Sequence, residues 1–419
     1  MSKTSPQKIS SIATLFLDTP PSCIEFSHLH PSYFVIGTYF LKNPEEQKED
    51  QKEQGESQER NPSNESPPEK KSQERSGTLI LCHLHETQIK IIHTLKTAHA
   101  ILDLHFAHQK PGDERIQTNT FWTANSTGSI AEYEILFSEG TEKARIERRA
   151  LHQLYPKDVL VLSFCWHPED GGVMSTTLSN GEVHVLRRGR GDRDGESVWM
   201  GSKQKISSHD LEAWTSCFSS TGEEVLFSGG DDAVVQYTNT PTEFQDEAEQ
   251  QQEQEQDDGN APLTPHKLPR KFHNAGITAL LPLPPSLLLT GSYDDHIRLL
   301  RTTPRPSLLT DLNLNGGVWR LKLLSSKSGN GKWAYDILAS CMHAGTRIVR
   351  LEMDGFMGEG ARFVVLAAFE ENESMNYGSD VRPRGRGGGE EEMGEYTVVS
   401  TSFYDKRVCL WRFWDRVEG

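Results

Sequence analysis

The chain has 419 residues, 35% hydrophobic side chains, a net charge of −16 and a mean hydropathy of −0.60. That length allows two or three ordinary domains or one large repeat fold, and the low hydropathy leaves part of the chain outside any core. The acidic balance excludes nonspecific nucleic-acid binding, which needs a dense basic surface, and no stretch stays apolar for the ~18 residues that a membrane-spanning helix needs. The first residues, "MSKTSPQKISSIATLFLDTPP", hold a short apolar patch broken by Asp18 and prolines, which does not read as a signal peptide. Cys23, Cys82, Cys165, Cys217, Cys341 and Cys409 lie far apart with no C-x-x-C pair, so reduced core thiols in a soluble intracellular protein are expected.

In chain order, "ISSIATLFLD" (9–18) precedes a first unit of four strand-like runs, "SCIEFSHL", "YFVIGTYFL", "GTLILCHLH" and "IKIIHTLKT". Hairpins then recur every several tens of residues. They are "FWTANSTGSIAEYEI" (121–135), "VMSTTLSNGEVHVLR" (173–187), "LFSGGDDAVVQYT" (226–238), "LLLTGSYDDHIRLLRT" (287–302), "DILASCMHAGTRIVRL" (336–351) and "VVSTSFYDKRVCLWRF" (398–413). Aligned by their turns, Asp231, Asp294 and Asp405 share one position, where a short carboxylate accepts backbone N–H bonds. His99, His209 and His273, just ahead of first strands, are expected to bond such aspartates. Each hairpin has an apolar strand upstream, and four strands per unit with Asp in the middle turn describe a propeller blade.

Counting first strands predicts an all-β, seven-bladed β-propeller over residues 9–415. Blade seven lacks an outer strand of its own, which 9–18 is expected to supply. Residues 42–76, 241–262 and 382–395 are polar or Gly-rich inserts that predict disordered surface loops.

The chain has no G-x-S-x-G elbow, H-E-x-x-H, Walker loop or G-x-G-x-x-G after a strand, so the motifs alone assign no chemistry. In a propeller the middle turns and the blade-to-blade loops share one face, around the mouth of the central channel. That face should collect His209, Glu212, Trp214, Tyr293, Asp294, Trp319, Arg320, His343, Tyr377, Asp380, Tyr404 and Asp405. His343 sits in a turn without the usual Asp and is the leading catalytic candidate.

The strings "HDLEAW", "GSYDDHIRL", "GGVWRLK", "CMHAG", "ESMNYG" and "SFYDKRVCLW", in that order, resemble the WD-repeat family of diphthine methyl ester hydrolases, from about residue 20 to 413. The chain departs from that pattern at Asn372 or Glu373, where the family often has His, at Val381, where it often has Trp, and in "RLLRT". The resemblance implies hydrolysis of the methyl ester of the diphthine intermediate on translation elongation factor 2 during diphthamide biosynthesis. It implies a cytoplasmic enzyme without a cofactor, working beside other diphthamide-synthesis proteins. On that basis His343 is the expected base, oriented by Glu212 or Asp380. Tyr377 and Arg320 are expected to donate to the oxyanion, with Trp214, Trp319, Tyr293 and Tyr404 shaping the pocket. Ser374 or a cysteine is the alternative nucleophile. A non-catalytic WD-repeat scaffold is the competing function.

Overall fold

The computed structural model describes residues 5–41, 74–107, 119–138, 143–189, 198–219, 225–240, 265–384 and 394–415. The predicted insert 241–262 lies outside the described residues, as do 42–73 and 385–393 of the other two. The strand Arg75–His85 takes over the last residues of the first insert, and Glu395–Ser402 starts at the end of the third.

Seven antiparallel sheets follow one another along the chain. In blade two, Ile101–Phe106, Thr120–Asn125, Ser129–Phe137 and Ala144–Gln153 pair in sequence order. Blade five repeats this order with Ile277–Leu283, Leu287–Ser292, His296–Arg301 and Ser307–Asn313. Burial grades along each blade. Leu287–Ser292 is buried at every position, whereas the outer Ser307–Asn313 is partly exposed throughout. The second strand is therefore a continuous apolar run and the outer one a mixed run, because only the former has neighbours on both faces.

Seven buried apolar clusters hold the ring, and each is built from the facing sides of two adjacent blades. The cluster of Val399, Val408 and Leu410 with Phe26, Phe34 and Ile36 joins blade seven to blade one and so closes the circle. Trp411 is fully buried between blades six and seven, stacked on Phe369 at 5.4 Å, and donates its indole N–H to Ser400 Oγ at 2.9 Å. All six cysteines are free thiols.

The N-terminal segment does more than the predicted closure. Ala13–Phe16 pairs antiparallel with Arg407–Trp414 as the outer strand of blade seven. Gln7–Ile9, however, runs parallel to Arg362–Phe369 and adds a fifth strand to blade six. Ser11, between the two, donates its N–H (3.1 Å) and its hydroxyl (2.5 Å) to Glu371. One short segment thus covers two exposed sheet edges. Among the described residues, no helix is long and apolar enough to cross a membrane.

Candidate active site at the channel mouth

The innermost strands of the blades wall the central channel. Residues two apart on a strand share a face, so charges spaced this way on first strands point together into the channel. Asp103 and His105 do so from Ile101–Phe106, and Arg320 and Lys322 from Arg320–Gly329. With Glu25 of blade one and Asp380 of blade seven they line a cavity of about 340 Å³, which Trp214 and Trp319 also border.

These groups form one network. His105 Nδ1 lies 2.6 Å from Glu25 Oε2, and its Nε2 lies 3.3 Å from Asp103 Oδ2. Asp103 Oδ1 also takes Arg320 Nη2 at 2.8 Å, and Arg320 Nε donates to the Tyr377 carbonyl at 3.2 Å. Lys322 donates to Asp380 Oδ1, and the Phe26 N–H donates to Asp380 Oδ2 at 2.7 Å. The cations face the cavity, with side chains 30–36% exposed, while Asp103 and Asp380 lie behind them at 2%.

Titration follows this arrangement. Burial pulls His105 down, but Asp103 and Glu25 outweigh it and push the imidazole up to about 10. Burial pushes Glu25 up, and His105 more than offsets it, so the carboxyl stays well below the usual range. Asp103 is likewise lowered, with Arg320 and His105 overcoming burial. His105 is therefore an imidazolium at neutral pH with both N–H groups in use, a fixed charge and not a base. Burial pushes the Cys23 and Cys165 thiols, which also line the cavity, up to about 12 and about 11, so neither supplies a thiolate.

Above the cavity runs an arc of rings. Trp214 meets Trp319 at 5.4 Å and Tyr293 at 6.3 Å, Trp319 meets Tyr377 at 5.0 Å, and Tyr377 meets Phe403 at 5.3 Å. Trp214 Nε1 donates to Asp231 Oδ1 at 3.4 Å. Burial, then the nearby Asp231, raises the Tyr293 phenol, with Tyr377 and Glu212 adding to it, so a proton-bearing ring faces a negative field. Aromatic faces backed by carboxylates form a receptor for a cation.

The predicted residues therefore separate into groups. Trp214, Tyr293, Trp319, Tyr377, Arg320 and Asp380 come together around this site. Tyr404 stands on the rim, 68% exposed, against Phe403. His343 is exposed in the 341–345 turn, and no hydrogen bond or ion pair joins it to another described residue, including Glu212 and Asp380. The turn sits on the mouth face, because Met342 bridges to Asn376 and the neighbouring Ala344 packs against Gly316. Ser374 is committed elsewhere. Its hydroxyl donates to Asp405 Oδ1 at 2.7 Å and accepts the Tyr404 N–H at 2.9 Å.

The turn alignment needs one correction. Asp232, not Asp231, holds the turn of blade four. It accepts from His209 Nδ1 (3.0 and 3.1 Å), the Asp210 N–H (3.2 Å) and the Val234 N–H (3.1 Å). The left-handed residue after the turn carboxylate marks the register. It is Ala233 (φ 60°), Asp295 (φ 67°) and Lys406 (φ 55°), which matches Asp232 with Asp294 and Asp405. Asp231 thus matches Tyr293 and faces the mouth. His273 also departs from expectation, its Nε2 meeting Thr290 Oγ1 at 2.8 Å, while Asp294 takes the Asn274 N–H at 2.8 Å and Arg298. His99 is buried, and its Nε2 has no hydrogen-bond partner among the described residues.

The motif reading missed Glu25, Asp103, His105 and Lys322. The available signal was charge inside otherwise apolar first strands, "CIEF", "LDLHF" and "WRLKLL", where a propeller keeps only what its channel uses.

The structure is similar to solved propellers at 12% identity. These include the WD40 β-propeller domain of Doa1 (TM-score 0.53, 96% of each chain) and Sqt1 from Chaetomium thermophilum (TM-score 0.55, 96% of this chain and 99% of that one). No family model matches the chain. In sequence it is 26% identical to the diphthine methyltransferase of Schizosaccharomyces pombe, over 95% of this chain and 96% of the relative. It is 25% identical to that of Homo sapiens, over 83% and 68%, and 23% identical to that of Saccharomyces cerevisiae, over 80% and 88%. The resemblance carried by the motif string is thus borne out by curated relatives along most of the chain.

Proposed function

We propose that this relative of the diphthine methyltransferases hydrolyses the methyl ester of diphthine on the modified histidine of translation elongation factor 2, in the cytoplasm, releasing methanol. The observation that carries this reading is the arc of Trp214, Tyr293, Trp319 and Tyr377 with Asp231 beside it, bordering a charged cavity through Trp214 and Trp319. Diphthine carries a quaternary ammonium, which donates no hydrogen bond and is held by aromatic faces and carboxylates.

The chemistry fits an activated water. His343, exposed and without a hydrogen-bond or ion-pair partner among the described residues, takes a proton from water as its oxygen attacks the ester carbon. Arg320 and the Tyr377 hydroxyl donate to the oxyanion of the tetrahedral intermediate. When that intermediate collapses, the carbon–oxygen bond to the methoxy group breaks and the imidazolium returns the proton, giving methanol and a carboxylic acid, which then releases its proton to solvent as the carboxylate. His105 does not take this role, since both its nitrogens already donate.

The test uses elongation factor 2 from cells lacking this chain, treated with purified protein in water labelled with oxygen-18. Label in the factor's new carboxylate and free unlabelled methanol are expected. Label in the methanol instead would mean transfer of the methyl group itself. A folded protein that binds the factor and releases no methanol would leave a scaffold.

A further inference from the structure

The ester reading uses the polarity of the cavity bordered by the aromatic arc at Arg320 alone and gives Lys322 no part. Arg320 and Lys322 share one face of one strand and turn their charged ends toward the cavity. Each has N–H groups to spare. Arg320 uses Nε on the Tyr377 carbonyl and Nη2 on Asp103, and Lys322 meets Asp380, out of five and three donors respectively. The three carboxylates behind them, Glu25, Asp103 and Asp380, are offset by three cations, Arg320, Lys322 and the His105 imidazolium. An arriving anion therefore meets no net negative charge and finds charged donors already fixed in direction.

We infer that Arg320 and Lys322 form a carboxylate site, so that arc and cavity together receive a betaine: a carboxylate a few atoms from a quaternary ammonium. This deepens the proposed function and rests on its reading of the arc as an ammonium site. It makes the acid product, not the ester, the better-held ligand, because only the product carries the anion. The acid product is then a competitive inhibitor of the ester, and small betaines compete for the mouth.

The probes are trimethylglycine, its uncharged carboxamide and tetramethylammonium, titrated into the full chain and followed by ligand-observed NMR. Trimethylglycine is expected to bind about tenfold tighter than either, the ratio that one charged hydrogen bond supplies. In the double variant Lys322→Met with Asp380→Asn, which removes a buried pair without stranding either charge, that preference should shrink several-fold while tetramethylammonium binding persists. Equal affinities in the wild-type chain, or no detectable trimethylglycine binding, would overturn the carboxylate site. So would a double variant that keeps the full preference. These titrations need no turnover. A protein that prefers trimethylglycine yet releases no methanol from the elongation factor keeps the carboxylate site and loses the hydrolase.

Discussion

Asp231 and Asp232 are neighbours in sequence with opposite duties, and replacing each in turn tests the register of blade four. In Asp232→Ala, two backbone N–H bonds disappear at about 1 kcal/mol each, and the buried His209 N–H loses its acceptor at about 1–3 kcal/mol. The expected loss is about 3–5 kcal/mol, read as a lower urea midpoint at unchanged slope. Burial raises the Asp232 carboxyl, but His209 and the backbone donors outweigh it and hold it below its ordinary value. A depressed carboxylate stabilises above its unfolded pKa and loses that contribution as pH falls, so the variant should also lose part of the parent's sensitivity to acid. Asp231→Asn keeps an oxygen for Trp214 Nε1 and removes only the charge. Its stability should stay within about 0.5 kcal/mol of the parent while KM for the methylated factor rises. The reverse pattern, an unstable Asp231→Asn and a sound Asp232→Ala, would refute the register and the mouth-facing role of Asp231.

Trp319→Ala removes the ring that touches Trp214, Tyr293 and Tyr377, and should raise KM about 3- to 30-fold through lost cation–π contact, with a smaller effect on kcat. His343→Ala should lower kcat by about 10²–10⁴ with an unchanged urea midpoint, and wild-type turnover would remove it from the mechanism. The cavity network predicts a defined pH window. His105 is raised by its carboxylates, so its contribution is full below about pH 6.5 and gone above about pH 10. Glu25 and Asp103 are depressed, so theirs holds above the ordinary carboxylate range and fails in acid. Arg320, Lys322 and Asp380 line the same cavity, and His105→Gln should flatten the alkaline limb of stability measured by denaturant midpoints. Deleting residues 1–17 bares the outer edges of blades six and seven, and should lower the melting temperature and promote aggregation seen by light scattering.

The blades were legible because their signals are local. Alternating apolar runs, a turn carboxylate and a recurring spacing lie within a few tens of residues, and the seven first strands could be counted directly. The aromatic members of the mouth were legible for the same reason, since the propeller rule alone assigns "HDLEAW", "GSYDD" and "GGVWR" to one face. Tertiary structure decided the rest. Glu25, Asp103 and His105 reach Arg320, Lys322 and Asp380 only because ring closure sets blade seven beside blade one and blade six across a narrow channel from blade two. No single segment carries that pattern. The choice between Asp231 and Asp232 depended on where backbone turns left-handed at Ala233, which two adjacent aspartates leave open. The division of the N-terminus between blades six and seven rested on which edges lay bare once the ring had formed. Pairing across one turn is written in neighbouring residues, whereas pairing across a closed ring is a property of the closure.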